Sequence, residues 1–222
     1  LLIENFNNNF NDNYRIFILD KNKNKKLNLN KIKYIKCDLL KLKRLPTLPK
    51  KIDVVIFLIG KTGGPDSLLL TNFKNYINFN CETLINFLKI TKKTKIKKII
   101  YTSTEHVYGD SPKNTDKTKL FEPSPKNYYG LSKRLGEKIL LNFCKKNKNS
   151  IDILRIPRVI SYKVKNPITS MIESAKYKKR IDIINNKLNL NFIYFDDLMT
   201  FIMSCIKKNK SGYRIFNLFN NS

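Results

Sequence analysis

The sequence predicts an α/β fold on a parallel sheet covered on both faces, and three observations carry that expectation. Apolar, β-branched runs alternate with helical patterns along the chain. The runs are nearly continuous in apolar residues, as strands buried on both faces must be. Strand, helix and strand follow in turn, which leaves parallel pairing as the topology. In order, the strands are YRIFIL (14–19), KYIKC (33–37), DVVIFLI (53–59), KKIIYTS (97–103), IDILRI (151–156) and RIFNLF (214–219). Each is rich in Ile, Val, Leu, Phe or Tyr and short enough to cross a sheet once. Helices are expected over 72–92, 128–146, 169–178 and 197–208. In the second of these, Leu135, Ile139 and Leu140 recur at helical spacing, and the fourth opens on an acidic pair that suits a helix N-terminus. The remaining segments are Asn/Lys-rich loops without an internal repeat.

Composition narrows the function classes. The chain has 222 residues, 41% of them hydrophobic, which is enough for a core that needs no staples. Cys37, Cys81, Cys144 and Cys205 lie far apart with no C-x-x-C pair, and His106 is the only histidine, so neither a zinc site nor a disulfide framework is indicated. That pattern points to a reduced, cytoplasmic setting. The longest apolar run, VVIFLIG (54–60), is too short to span a bilayer, so no membrane partner is expected. A net charge of +27 ordinarily suggests nucleic acid. Here lysine is mixed with Asn and Ile throughout, as in KNKNKKLNLNKIKYIK, which reads as a bias of the whole chain; no nucleic-acid partner is expected.

Two stretches carry candidate chemistry. In PKNYYGLSKRLGEKILL, Tyr129 and Lys133 stand four apart and share one face of a helix. An ammonium near a phenol favours the phenolate, which lets tyrosine serve as a general base near neutral pH. The alternative is a basic surface helix. In KKIIYTSTEHVYGD, the hydroxyls of Thr102, Ser103 and Thr104 fall where a buried strand ends, the place where open α/β sheets bind ligands. The alternative there is a turn whose hydroxyls satisfy loose backbone groups.

Taken together and in order, YTSTEHVYGD, PSPKNYYGLSKRLGEK, ILRIPRV and NFIYFDDL resemble the extended short-chain dehydrogenase/reductase family, in its nucleotide-sugar epimerase and dehydratase branch. The resemblance runs from about residue 14 to the C-terminus. It implies a Rossmann-type doubly wound parallel sheet holding NAD over residues 1–160, with a small, incomplete cap over the sugar nucleotide in 161–222, where some elements return to the first domain. It also implies that Tyr129 is the catalytic base, that Lys133 binds the nicotinamide ribose and tunes the tyrosine, and that Thr104 hydrogen-bonds the reacting sugar oxygen. Further cofactor contacts fall on Asp20 at a strand end, Asp38 with Leu39 beside it, Leu58, Ile59 and Gly60 beneath the cofactor, Asn80, Thr102 and Pro157. A carboxylate at Asp20 accepts ribose hydroxyls and repels a 2′-phosphate, favouring NAD over NADP. Singly, these residues are also explained as turn, strand-end or loop formers. Family members pair as homodimers through the helices at 72–92 and 128–146.

The chain departs from the family pattern in several places. The first strand and its G-x-x-G-x-x-G turn should precede LLIENFNNNF, and the family continues beyond YRIFNLFNNS, so the sequence reads as an internal fragment of a longer enzyme. Loss of a central strand should interrupt the sheet, and residues 1–222 alone are expected to bind NAD poorly and to be inactive. Arg158 replaces an asparagine and Ser161 a glycine, while Leu190 and Asn191 replace an Arg-Asp pair. Arg158 is the remaining candidate for a substrate phosphate. Glu105 and His106 occupy the positions of the acidic pair with which 4,6-dehydratases eliminate water; they are read here as substrate-side loop residues. The expected activity is 4-epimerisation of a nucleotide sugar, with 4,6-dehydration, simple reduction and a catalytically silent binding protein as alternatives.

Overall fold

The computed structural model describes residues 14–22, 32–109, 122–161, 167–177, 180, 191–208 and 210–218. The expectations for residues 1–13 and for Lys178, Leu190 and Phe219 lie outside the described residues. Three all-parallel sheets are present among them. β1 (Ile16–Asp20) pairs with β2 (Ile32–Lys36). β3 (Lys51–Phe57), β4 (Lys95–Thr104), β5 (Ser150–Ile156) and β8 (Tyr213–Asn217) form a four-stranded sheet in the order 3-4-5-8. β6 (Arg158–Ile160) and β7 (Phe192–Tyr194) make a small third sheet. Among the described residues β1 and β3 are not paired with each other. All six long strands fall on the apolar runs. β6 and β7 were not expected, because three residues are too few to show a period of two.

Five helices are described: α1 (Phe73–Ile77), α2 (Thr83–Ile90), α3 (Tyr128–Asn147), α4 (Pro167–Lys176) and α5 (Phe195–Lys207). The helix expected over 72–92 is split, since a π-helical turn (Asn78–Glu82) joins α1 to α2. α3 starts where the Asn127 side chain accepts a hydrogen bond from the Gly130 amide at 2.8 Å, an N-cap, and it ends at Lys148 in the left-handed region. α5 starts two residues earlier than expected and takes Asp196 and Asp197 into its first turn.

Alternating side chains of the central strands feed two apolar layers. Ile99, Tyr101, Ile151 and Ile153 join Phe57, Leu84, Phe87 and Leu140 in one cluster. Ile100 and Leu154 join Leu198, Ile202 and Cys205 in the other. α2 and α3 therefore cover one face of the sheet and α5 the opposite face, the doubly wound arrangement. Cys37 and Leu39 belong to the first cluster, and Asn86 Nδ2 donates to Leu39 O at 2.8 Å, which binds the β1–β2 sheet to the body of the fold. At the strand starts, buried Asp152 accepts two bonds from Arg214, at 2.7 and 2.6 Å, and lies 3.4 Å from Lys98 Nζ. Lys98 also caps the end of α5 by donating to the carbonyls of Cys205 and Lys208.

In α3, Leu135 is 40% exposed, whereas Ser132, Lys133, Gly136, Glu137, Leu140 and Cys144 are buried. Of the three spaced apolar residues, Leu140 is in the core and Ile139 packs against it, while the first half of the helix buries polar groups whose partners include the strand-end residues Thr102 and Ser103.

Candidate functional site

Parallel strands that run in one direction present their carboxyl ends at one edge of the sheet. There β4 delivers Thr102, Ser103 and Thr104, β3 leads into Leu58, Ile59 and Gly60, and β5 leads through buried Pro157 to Arg158. The first turns of α3 add Tyr129 and Lys133. Lys133 Nζ donates to Thr102 O at 2.8 Å and sits 5.1 Å from the Tyr101 ring centroid, while the Thr102 hydroxyl donates to Phe57 O at 3.1 Å. Burial pushes the Lys133 ammonium down to about 8.

Tyr129 behaves differently from the sequence expectation. Its phenol is raised above the usual tyrosine value by burial and by the Glu105 charge, and only the nearby Thr104 hydroxyl pulls it the other way. Lys133 donates to the Thr102 carbonyl in this geometry, and burial disfavours its cation.

The loop after β3 is laced down beside these groups. Lys61 N donates to Asn80 Oδ1 at 2.7 Å, and Asn80 Nδ2 donates to Lys61 O at 3.2 Å and to Ser132 Oγ at 2.8 Å. Asn80 projects from the π-helical turn, and such single-turn insertions recur at functional sites. A Cβ on Gly60 would stand 2.6 Å from Asn80 Oδ1 and 3.1 Å from Lys133 Nζ; one on Gly63 would stand 2.6 Å from Tyr129 Cδ1. Bare backbone at both positions is thus a steric requirement. Asp66 anchors the loop by accepting from Lys61 Nζ and, at 2.8 Å, from the Tyr76 hydroxyl. Burial first, and then Asp66, hold the Tyr76 phenol up at about 12.

Glu105 and His106 sit on the turn directly after Thr104. The His106 ring meets Tyr129 edge-on at 5.6 Å, and its Nδ1 lies 3.4 Å from Asn127 Nδ2. Burial, reinforced by the Arg158 charge, lowers the His106 imidazole below its ordinary value. Burial raises Glu105, against a 2.9 Å bond from Asn191 Nδ2 and the charge of Arg158. The exposed residue Arg158 at the start of β6 therefore faces both.

The remaining candidates lie at the ends of β1 and β2. Asp20 is exposed, and its Oδ1 accepts from Asn22 N at 2.8 Å. Asp38 Oδ1 accepts from the amides of Leu40 and Lys41, at 2.9 and 3.2 Å, closing a turn. The Leu39 side chain is in the core, and its carbonyl accepts from Asn86. Gly63, Asp66, Tyr76, Ser132 and Asn191 escaped the sequence reading. Gly63, Ser132 and Asn191 act through partners distant in sequence, and Asp66 and Tyr76 through each other; Asn127 had a local signal, an Asn just before a helix.

The model of the NAD dependent epimerase/dehydratase family matches residues 5–218. A dTDP-D-glucose 4,6-dehydratase of Dictyostelium discoideum is 28% identical over 185 residues, 76% of this chain and 41% of that protein. Probable UDP-arabinose 4-epimerase 3 of Arabidopsis thaliana is 35% identical over 94 residues, 41% of this chain and 22% of its own length. Among solved structures, the UDP-glucuronic acid 4-epimerase of Bacillus cereus in complex with NAD superposes with a TM-score of 0.76 at 25% identity, over 96% of this chain and 72% of that one. The chain spans less than half the length of the two curated relatives. With a doubly wound parallel sheet, a Tyr-x-x-x-Lys helix at the strand ends and a family match over nearly its whole length, the chain belongs to the NAD dependent epimerase/dehydratase family.

Proposed function

We propose that the protein containing this chain is an NAD-dependent epimerase that inverts C4 of a nucleotide-activated sugar through transient oxidation of the hydroxyl. The observation that carries this reading is the meeting of Tyr129, Thr104 and Lys133 at the end of β4, beside a loop whose glycines leave backbone bare. The residues fit the cofactor: Asp20 offers an exposed carboxylate at a strand end, and Gly60 keeps the approach to Lys133 and Asn80 open. NAD, when bound, supplies the hydride acceptor. Tyr129 takes the proton of the sugar hydroxyl, and the Thr104 hydroxyl orients the same oxygen. Lys133 serves the phenolate best when its Nζ turns from Thr102 O toward the phenol, a movement within one helical turn. Arg158 is assigned to a substrate phosphate, a reading supported by its exposed position and by its charge acting on Glu105 and His106. A homodimer is proposed through the outward faces of 72–92 and α3, where Phe79, Ile85 and Leu135 are exposed; sedimentation at a single protomer mass would overturn it.

The test is turnover of UDP- and dTDP-sugars by the full-length enzyme, read by NMR of the product. A C4 epimer of unchanged mass supports the proposal, and Tyr129→Phe should then abolish turnover while NAD affinity stays nearly intact. Dehydration is the second reading, favoured by the raised Glu105 carboxyl beside a neutral His106, an acid and a base side by side. Its product would lack one water.

A further inference from the structure

The proposed site uses Thr104, Tyr129 and Lys133, yet the most completely buried charges of this half of the molecule lie just behind them. Glu137 and Arg155 are 0% and 1% exposed and form a two-pronged pair at 3.0 and 2.8 Å. Glu137 also accepts from Ser103 Oγ at 2.6 Å and from Arg134 Nη1 at 2.9 Å. On its other side Arg155 lies 4.7 Å from the Tyr108 ring centroid and donates through Nη1 to the Tyr108 hydroxyl, which donates in turn to Asn217 Oδ1 at 3.0 Å.

A buried ion pair is weak as a source of stability, because desolvation offsets most of its attraction, and well-packed apolar residues often serve as well. What this network does have is geometry. It grips the turn Glu105–Tyr108 at both ends: Ser103 next to Thr104 is tied to Glu137, and Tyr108 is tied to Arg155 and Asn217. The span between holds Thr104, Glu105 and His106, and Thr104 Oγ1 accepts from His106 N at 3.3 Å. α3 presses on the same turn, since a Cβ on Gly130 would come within 2.2 Å of His106 O.

The geometry points to Tyr108, held by Arg155 and Asn217, as a positioning residue that fixes Thr104 and His106 against the Tyr129 phenol. This inference rests on the proposed function for its kinetic consequence, and on the structure alone for its geometric one. The Tyr108 hydroxyl acts by holding the strand-end turn through Arg155 and Asn217.

His106 is the only histidine in the chain, so its imidazole protons report on the turn without overlap. We would record its NMR titration in untagged residues 1–222, wild type, Tyr108→Phe and Asn217→Ala. Among the described residues, Arg158, Tyr129 and Asn127 face the ring, and Glu105 adjoins it in the chain. Release of the turn admits water, so the depressed His106 pKa should rise toward its ordinary 6.5 in both variants. In the full-length enzyme kcat should fall about tenfold with KM for the sugar nucleotide changed less than about twofold. Unchanged His106 titration and unchanged kcat would overturn the inference, whatever happens to the thermal midpoint. Should wild type turn over no nucleotide sugar, the proposed function fails, and the His106 titration still decides the positioning role. Asn217→Ala, which leaves the Tyr108 ring and the Glu137–Arg155 pair in place, supplies the answer if Tyr108→Phe does not fold.

Discussion

Tyr129 is hemmed in on several sides. Gly63 lies against one face of its ring, His106 meets it edge-on, and Tyr76 stands 6.2 Å away between centroids. Gly63→Ala must displace either the loop or the ring, because the new carbon falls 2.6 Å from Tyr129 Cδ1. A displacement of that kind at a proton-transfer group should lower kcat by about 10²-fold with the fold retained, as read by steady-state kinetics alongside circular dichroism. Lys133 makes a second residue-level case. Its folded pKa of about 8 lies below the ordinary 10.5, so between those values the unfolded chain holds more protons than the folded one. Stability contributed through Lys133 therefore rises as pH increases across that window. Lys133→Met should flatten that part of a urea-midpoint profile taken from pH 8 to 10.

At the scale of the element, α3 owes its register to small residues and to one carboxylate. A Cβ on Gly136 would stand 2.2 Å from the Tyr101 hydroxyl oxygen, which is fully buried and cannot move into solvent. Gly136→Ala should cost about 1–3 kcal/mol by overpacking, outweighing any gain in helix propensity, as measured by urea denaturation. Burial acts to raise the Glu137 carboxyl, but Arg155, Ser103 and Arg134 together bring it below its ordinary 4.5. The unfolded chain then binds the proton more tightly, so this contribution is present above that value and lost as pH falls through the folded pKa. Glu137→Gln should show a shallower loss of stability than wild type between about pH 5 and 3.

For the molecule as a whole, the two sheet faces and the far ionic cluster set the frame that holds the site. Asp152 sits between Arg214 and Lys98 and joins β4, β5, β8 and the end of α5. Asp152→Asn would leave two cations facing a neutral amide in the interior, and a loss of about 3–5 kcal/mol is expected by chemical denaturation. The net charge of +27 leads to a separate expectation. Spread along the whole chain, it should give no retained RNA binding at about 150 mM salt in a filter assay, whereas a footprint built for phosphates would survive with a steep salt slope.

The order of strands and helices was legible in the sequence because apolar periodicity is a local property: six strands and both long crossover segments fall where the pattern places them. Tyr129, Lys133 and Thr104 were legible too, since spacing along one helix and a hydroxyl run at one strand end are read without knowing the fold. The two three-residue strands were too short to show a period, and the π-helical turn at Asn78–Glu82 changes hydrogen bonding without changing composition. The clasp of Ser103, Glu137, Arg155, Tyr108 and Asn217 joins residues up to 109 positions apart, so no window of sequence contains it. The sequence by itself therefore determined the family, the layering and the candidates for the reacting groups. Only the tertiary structure decided that Lys133 donates to the Thr102 carbonyl, that α3 buries Glu137 and exposes Leu135, and that the turn after Thr104 is gripped at both ends. Burial and charge pairing are set by neighbours that the fold brings together from distant parts of the chain.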